Sequence, residues 1–260
     1  MNTQLDFGLA DGYNSRSQQA RIITESWAGA NMYCVACSAS NLTRTPANRP
    51  TVDFFCASCD ELYQLKSSVK PFSTRVVDGA YQATLQAMER GSVPNLLLLS
   101  YDRGTPAIRD LDFIPKFALM KSALQCRPPL SATARRAGWV GCNILLSSIP
   151  SDVRIAIVRS GLVTPPDAVR AKYRTVSPLS QLTNSERGWT LDVLNAIRSL
   201  RQQRFSLNEL YGHESRLKAL HPKNRHIKEK IRQQLQVLRD LGVIEFLSPG
   251  QYCVRDMPRN

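Results

Sequence analysis

The sequence predicts an α/β fold in which a large N-terminal domain with a mixed β-sheet precedes a smaller, mainly helical domain. Two Cys-x-x-Cys pairs are present, and the second forms a knuckle between two short strands in residues 50–66. Apolar runs of strand length alternate with helical stripes up to residue 182, and short amphipathic helices follow. A chain of 260 residues is long enough for one large domain or two modest domains with real cores. The predicted domains are residues 1–182 and 183–260.

The cysteine spacing predicts a structural zinc site. Four of the seven cysteines form two Cys-x-x-Cys pairs separated by 18 residues, which is typical of a four-cysteine zinc ribbon. Redox-active cysteine pairs are the alternative interpretation. Four thiolates complete a tetrahedron and leave no open position for water, so this zinc would clamp the hairpin and take no part in catalysis. The predicted ligands are Cys34, Cys37, Cys56 and Cys59.

The segment around the second cysteine pair predicts that three polar side chains converge. A hairpin that folds at this knuckle pairs residues whose numbers sum to roughly 115, which sets Asp53 opposite or diagonal to Gln64. Gln64 and Lys66 are two residues apart and would share a face of their strand. Oxygen donors suit a hard cation, and a lysine can orient an attacking water. The predicted catalytic residues are Asp53, Gln64 and Lys66, with Mg²⁺ on Asp53, Gln64 and the backbone of Leu65.

This spacing resembles the core of the PD-(D/E)xK nucleases. Pro50 stands three residues before Asp53, and Gln64-Leu65-Lys66 takes the place of the acidic doublet. The resemblance implies hydrolysis of phosphodiester bonds by a Mg²⁺-activated water. A short motif of this kind also arises by chance in many strands, so the pattern alone does not establish a nuclease.

The remaining pattern predicts the helices and strands around this hairpin. A helix is expected over residues 15–30 with Ser17 as its cap. Glu25 on this helix is expected to be an exposed acid, with assistance to a metal site as the alternative. A second helix is expected after an Asp78-Gly79 turn. Further strands of one mixed sheet are expected at residues 95–101, 111–114, 142–146 and 153–158.

A segment between two of these strands, residues 131–143, combines two adjacent arginines with a tryptophan. Arg135 and Arg136 are predicted to present guanidinium groups to phosphate or guanine, and Trp139 is predicted to present its indole to a base edge. A partly buried core position is the alternative interpretation of Trp139.

Residues 183–260 predict a winged-helix domain that binds DNA. Three helical segments precede a hairpin at residues 243–254, which is the winged-helix order, and a basic third helix would enter the major groove. Residues 206–209 have the form of a capping box, and Gly242 is a natural helix stop. A protein-interaction domain with solvated lysines is the alternative. The predicted DNA-binding residues of the third helix are His226, Lys228, Lys230, Arg232 and Gln233.

The charge balance favours a polyanionic partner. Lysine and arginine number 34 against 21 acids, a net charge of +13, and residues 183–260 hold 14 basic and 8 acidic residues, a net +6. No apolar run has membrane-spanning length, and the N-terminus lacks the pattern of a secretory signal. We therefore expect a soluble, cytoplasmic protein that binds a polyanion and no membrane, and we also expect it to be a monomer.

Several blocks resemble the DpnI family of methyl-directed restriction endonucleases. They are the Asp53…Gln64-x-Lys66 core and the sequences TARRAGWVGCNI, DGAY and HIKEKIRQQLQVLRD, and the similarity extends over nearly the whole chain. The resemblance implies cleavage of duplex DNA at GATC sites whose adenine carries an N6-methyl group. It implies a PD-(D/E)xK domain and a winged helix that can each sense methylation. It also implies that Asp53 binds Mg²⁺, that Lys66 holds the attacking water, that the four cysteines bind zinc, and that Trp139 lies near the methyl groups.

Methylation replaces an amine hydrogen of adenine by an apolar group in the major groove. A reader therefore needs an apolar surface beside arginines that recognise guanine, and Trp139 next to Arg135 and Arg136 offers both.

One departure concerns Gln64, because the family has glutamate there. A neutral amide should bind Mg²⁺ more weakly than a carboxylate. Glu61 cannot replace it, because its odd spacing in an unbroken strand directs it to the opposite face. This chain resembles other, active PD-(D/E)xK nucleases in having Gln-x-Lys, so we expect a working enzyme. The alternatives are a non-catalytic reader of methylated DNA and a zinc-ribbon scaffold that binds no DNA.

Overall fold

The computed structural model describes residues 1–46 and 51–255. The helices are α1 (Arg16–Asn31), α2 (Tyr81–Glu89), α3 (Pro166–Val176), α4 (Asn184–Ser199), α5 (Leu207–Tyr211), α6 (Glu214–Leu220) and α7 (Ile227–Asp240). The strands are β1 (Thr43–Arg44), β2 (Phe54–Phe55), β3 (Leu62–Ser68), β4 (Arg75–Ala80), β5 (Asn95–Asp102), β6 (Ala107–Ile114), β7 (Leu124–Cys126), β8 (Gly141–Leu145), β9 (Ile155–Arg159), β10 (Leu162–Val163), β11 (Arg204–Ser206), β12 (Ile244–Ser248) and β13 (Gln251–Val254). Across the described residues, no helix combines the length and the hydropathy that a bilayer crossing requires.

A seven-stranded mixed sheet forms the centre of the N-terminal half, in the order β1-β2-β3-β5-β6-β9-β10. Strands β3 and β5 run parallel, and the other neighbouring pairs are antiparallel. Strand β5 is buried from Asn95 to Tyr101, so both faces of the sheet are covered at its middle, which explains the continuous leucine run. The predicted α/β fold with a mixed sheet is confirmed.

A separate three-stranded sheet, in the order β4-β8-β7, differs from the prediction. The strand expected at residues 142–146 exists as β8, but it pairs with β4 and β7 and not with the central sheet. The predicted Asp78-Gly79 turn is wrong, because both residues belong to β4, whose pairing with β8 shifts register between Asp78 and Ala80. A bulge admits an extra residue without ending a strand, so α2 begins only at Tyr81.

Helix α1 begins earlier than its predicted cap. Ser15 has the extended backbone of an N-cap residue, and its Oγ lies 2.8 Å from the Oγ of Ser17. The prediction of Ser17 as the cap is therefore wrong, since Ser17 lies in the first helical turn. Ile23 and Trp27 are buried, as the apolar stripe predicts. The helix packs against β3, the strand that carries Gln64.

Two hydrophobic cores divide the chain, and helix α4 contacts both of them. Leu191 belongs to the N-terminal core, whereas Trp189 and Val193 belong to the C-terminal core. A buried ion pair also joins the two halves: Arg198 Nε donates to Asp152 Oδ2 at 2.8 Å. Because α4 is shared, the exact domain boundary near residue 182 stays a prediction.

The C-terminal half has the helices and the hairpin of the predicted winged helix, but four helices, α4 to α7, precede the hairpin where three were predicted. The predicted capping box is confirmed, since Ser206 and Glu209 each bond the backbone N–H of the other, but α5 is short and α6 follows it. Helix α7 buries an apolar stripe that includes Ile231 and Leu235. Gly242 ends it with a φ of +72°, which glycine adopts without strain. Strands β12 and β13 form the hairpin, and β11 adds a third strand beside β13.

Candidate functional site

The four predicted zinc ligands form one cluster. Their sulfur atoms all lie within 4.8 Å of one another. The sulfurs of Cys34 and Cys59 are 3.5 Å apart, and those of Cys37 and Cys56 are 3.6 Å apart. A tetrahedral zinc with bonds of about 2.3 Å separates its sulfurs by about 3.8 Å. The cluster therefore fits a zinc ion.

Tyr63 connects this cluster to strand β3. Its ring is fully buried, and its hydroxyl oxygen lies 3.1 Å from the Cys34 sulfur and accepts from the N–H of Val35 at 3.2 Å. Arg170 of α3 donates to the carbonyl oxygens of Cys34 and Ala39 at 3.1 and 2.9 Å. The residue that follows Tyr63 is Gln64, so the cysteine cluster fixes the strand that carries the predicted site.

One cysteine of the cluster is prepared to ionise. Burial raises the pKa of the Cys56 thiol, but hydrogen bonds from the backbone N–H of Ser58 and from Cys37 lower it more, to about 7. Burial raises the pKa of the Cys34 and Cys59 thiols, so of these three cysteines only Cys56 is predisposed to the thiolate form that metal ions bind.

The hairpin places Asp53 beside strand β3. Strands β2 and β3 pair Phe54 with Tyr63 and Phe55 with Leu62, so paired numbers sum to 117 and not to about 115. Asp53 directly precedes β2, and its Oδ2 accepts from the N–H of Leu65 at 2.7 Å. The backbone of Leu65, a predicted Mg²⁺ ligand, thus orients the carboxylate. Pro50 of the predicted motif lies outside the described residues.

An open pocket of about 320 Å³ brings Asp53 and Gln64 together. Burial raises the pKa of Asp53, the N–H of Leu65 lowers it, and the nearby charge of Glu25 raises it further. A bound cation would offset both the cost of burying the charged Asp53 carboxylate and its repulsion by Glu25. The other residues that line the pocket are Ser17, Ala20, Arg21, Thr24, Glu25, Leu65 and Ser67.

Lys66 does not line this pocket. Its Nζ donates to Oδ1 of Asp78 on β4 at 2.6 Å, and the two side chains are 22% and 9% exposed. Its charge still reaches Asp53, whose pKa it lowers against the stronger effect of burial. Of the predicted catalytic set, two residues therefore share a pocket, and the third is held beside it by an acid that sequence reasoning missed.

Glu25 is a second residue that sequence reasoning misjudged. Its expected exposure is wrong, since it is only 6% exposed and lines the same pocket as Asp53. Arg21 Nε donates to its Oε1 at 2.6 Å, and Arg44 pairs with its Oε2. The spacing of four residues between Arg21 and Glu25 was a usable signal, because such residues face each other on a helix.

The loop that joins β7 to β8, residues 127–140, contains most of the predicted DNA-facing segment 131–143, whose last three residues lie in β8. We call this loop the DNA-facing loop. Arg135 and Arg136 are exposed, and Trp139 is half-buried outside both cores. The guanidinium carbon of Arg136 lies 4.7 Å from the centre of the Trp139 ring, a cation–π contact. The indole covers Gly141, where a Cβ would lie 2.7 Å from the ring. Only glycine lets the ring pack this closely on the strand.

The predicted DNA-binding residues of the third helix lie around the first turns of α7. His226 precedes the helix, and the others lie within it. Lys230 is half-exposed and the remaining four are exposed. Lys228 and Arg232 both contact Tyr211 of α5, at 5.3 Å from the ring and 2.9 Å from the hydroxyl. Together these side chains occupy the sides of the helix outside its apolar stripe.

Comparison with known families agrees with this architecture. The model of the DpnI family, described as the Dam-replacing family, matches residues 1–182. The model of its C-terminal domain, described as the Dam-replacing HTH domain, matches residues 185–253. The resemblance seen in the sequence is confirmed, and a helix-turn-helix domain in such a family indicates a function directed at DNA. The chain therefore belongs to the DpnI, or Dam-replacing, family and carries its C-terminal helix-turn-helix domain.

Proposed function

We propose that this protein is a methyl-directed restriction endonuclease that uses Mg²⁺ to hydrolyse duplex DNA at GATC sites carrying N6-methyladenine. The observation that carries the proposal is the pocket beside the cysteine-clamped hairpin, where Asp53, Gln64 and Glu25 bring three oxygen-bearing side chains together. Oxygen donors of this kind bind hard divalent cations. The family and the basic charge support a DNA substrate.

The residues present fit a Mg²⁺ ion. Asp53, Gln64 and the backbone of Leu65 would hold it, and Mg²⁺ would activate water and stabilise charge on the phosphate. The N–H of Leu65 keeps the Asp53 carboxylate in one orientation. Gln64 contributes a neutral oxygen, so Glu25 supplies the second negative charge that the family's glutamate would give.

The charges around Glu25 suit a pocket that receives a phosphate. Arg21 and Arg44 hold its carboxylate, but their side chains are 61% and 54% exposed. Exposed arginines exchange partners at little cost, and guanidinium groups bind phosphate well. When DNA enters, these two arginines turn to its phosphates and leave Glu25 free to face the cation.

Recognition of the methylated base is assigned to the loop 127–140 and to α7. Trp139 offers an apolar ring for the N6-methyl group, and Arg135 and Arg136 offer donors to guanine or phosphate. Helix α7 enters the major groove with the residues from His226 to Gln233.

Digestion of plasmid DNA tests the proposal. Methylated and unmethylated plasmids are incubated with the protein and Mg²⁺, with Asp53→Asn as the control. We expect cutting of the methylated plasmid alone, at GATC sites. An absence of cutting at every Mg²⁺ concentration, with Gln64→Glu also inactive, would contradict a nuclease.

A non-catalytic reader of methylated DNA is the second candidate. Two observations favour it: Gln64 lacks a charge, and Lys66 is already paired with Asp78. The reader predicts tight binding to methylated duplex, no cleavage by the native chain, and cleavage by Gln64→Glu. The same plasmid assay, combined with a binding titration, separates the two functions.

A further inference from the structure

The ion pair between Lys66 and Asp78 links the two sheets of the N-terminal half. Lys66 lies on β3 of the central sheet, and Asp78 lies on β4 of the three-stranded sheet. The Nζ–Oδ1 distance is 2.6 Å, and the Asp78 side chain is 9% exposed. A pair this short and this shielded from water is screened far less than a surface pair. It therefore fixes the ammonium group relative to the second sheet.

The position of Asp78 depends on the strand that follows the DNA-facing loop. Asp78 pairs with Cys142 of β8, and Ala80 pairs with Gly141. The N–H of Tyr81 donates to the carbonyl oxygen of Val140 at 3.1 Å. Trp139, at the end of that loop, packs its ring on Gly141. Trp139 and Asp78 therefore both contact the first residues of β8, Gly141 and Cys142.

The irregular pairing of β4 beside Asp78 sets the direction of the Asp78 carboxylate. The pairing of β4 with β8 shifts register between Asp78 and Ala80. Bulges re-aim neighbouring side chains and often lie next to active sites. A displacement of the start of β8 would therefore move Asp78 and, through it, the lysine ammonium.

We propose that Asp78 is a positioning residue that holds the Lys66 ammonium in place for hydrolysis and couples it to the DNA-facing loop. The inference rests on the proposed nuclease function. A lysine side chain is a flexible four-carbon stem, so an unanchored ammonium occupies many positions. One hydrogen bond to Asp78 leaves two ammonium donors free for water and phosphate. Placement matters because an error of about 1 Å can cost about 100-fold in rate.

Two substitutions separate placement from simple structural support. Asp78→Asn removes the charge, whereas Asp78→Glu keeps the charge and shifts it by one methylene. If Asp78 served stability alone, Asp78→Glu would cleave like the native protein. If it positions Lys66, both variants lose rate. Glu61→Gln is the matched control, since the Glu61 side chain is 18% exposed, pairs with Lys116 at 2.8 Å and does not line the pocket.

The test measures single-turnover cleavage of a methylated duplex, with duplex affinity measured separately in the absence of divalent ions. We expect Asp78→Asn and Asp78→Glu each to lower the cleavage rate by about 10- to 100-fold, with duplex affinity within about twofold of native. We expect Glu61→Gln to cleave at the native rate. We expect the double variant Lys66→Ala with Asp78→Asn to be no slower than Lys66→Ala alone, because residues that act as a unit are non-additive.

Two results would overturn the inference while leaving the nuclease intact. They are a native rate for Asp78→Glu, and a double variant slower than Lys66→Ala by the full factor of Asp78→Asn. Should Asp78→Asn fail to fold, Asp78→Glu carries the test alone. A native protein that does not cut would overturn the proposed function and this inference together, and that result is seen before any variant is made.

Discussion

The two ends of the β2–β3 hairpin carry clusters of opposite chemistry. Four sulfur atoms lie together at the tip, where they could hold a zinc ion as a closed tetrahedral set. At the base, Asp53 and Gln64 line an open pocket with oxygen donors and a second acid from α1. Soft, closed ligation gives rigidity, and hard, open ligation leaves room for water and substrate. One hairpin therefore serves as both the clamp and the candidate site.

Loss of the clamp should have the largest effect. We expect Cys37→Ser, or removal of metal with a strong chelator, to disorder the hairpin and abolish cleavage. Structural zinc in small domains contributes roughly 10 kcal/mol or more to folding, and a larger domain would lose part of that amount. Zinc content by mass spectrometry and thermal unfolding check this prediction.

The chain offers a matched control for the clamp. Cys126 is an exposed free cysteine outside the cluster, so Cys126→Ser should retain zinc, stability and cleavage. Native zinc content in Cys37→Ser would show that the tip is not a metal site.

Removal of the Asp53 carboxylate should disable the pocket at the base of the hairpin and leave the cysteine cluster at its tip intact. We expect Asp53→Asn to lower cleavage by about 100- to 1000-fold. Mainly because of burial, the pKa of Asp53 is raised, so the folded state disfavours the charged form that is present at neutral pH. A carboxyl whose pKa is raised in the folded state stabilises the fold while it is protonated at low pH, and this contribution to stability is lost as the pH rises through the raised pKa. The neutral amide of Asn avoids this loss.

The thermal midpoint of Asp53→Asn at pH 7 should consequently equal or exceed the native value, with zinc retained. A marked fall in the midpoint would mean that the loss of cleavage reflects damage to the fold.

The pH dependence of cleavage should distinguish the pocket from the cysteine cluster, because the pocket contains two carboxylates, Asp53 and Glu25, that repel each other. Burial and then the charge of Glu25 raise the pKa of Asp53, and cation binding needs its ionised form. We expect Glu25→Gln to move the acidic limb of the cleavage profile to lower pH. Glu61→Gln is the control, since Glu61 pairs with Lys116 at 2.8 Å and does not line the pocket. An acidic limb that stays in place in Glu25→Gln would contradict this account.

A smaller effect is expected at the DNA-facing loop. Trp139→Ala should reduce the preference for methylated over unmethylated duplex by about fivefold, because burial of a methyl group against an indole is worth about 1 kcal/mol. Gly141→Ala should act in the same direction, since the added Cβ would lie 2.7 Å from the Trp139 ring. Binding titrations with both duplexes measure this ratio, and an unchanged ratio in Trp139→Ala would remove the tryptophan from methyl recognition.

The sequence predicted those parts of the molecule whose signals are local. The cysteine spacing located the cluster, the leucine run located β5, and the capping box located α5. Glu25 was misjudged and Asp78 was missed because burial and partners decide their roles. Their partners Arg44 and Lys66 lie 19 and 12 residues away in the chain. Likewise, no local pattern distinguishes a strand of the central sheet from β8 of the second sheet.

The location of the divalent ion tests the central claim most directly. A crystal structure of the protein with a methylated GATC duplex and Mn²⁺ would reveal the metal by its anomalous scattering. We predict a peak between the Asp53 carboxylate and the Gln64 amide oxygen, at about 2.2 Å from each, with Lys66 still paired to Asp78. A phosphate bound beside the hairpin with no metal at Asp53, or a metal bound elsewhere on the DNA, would contradict the account.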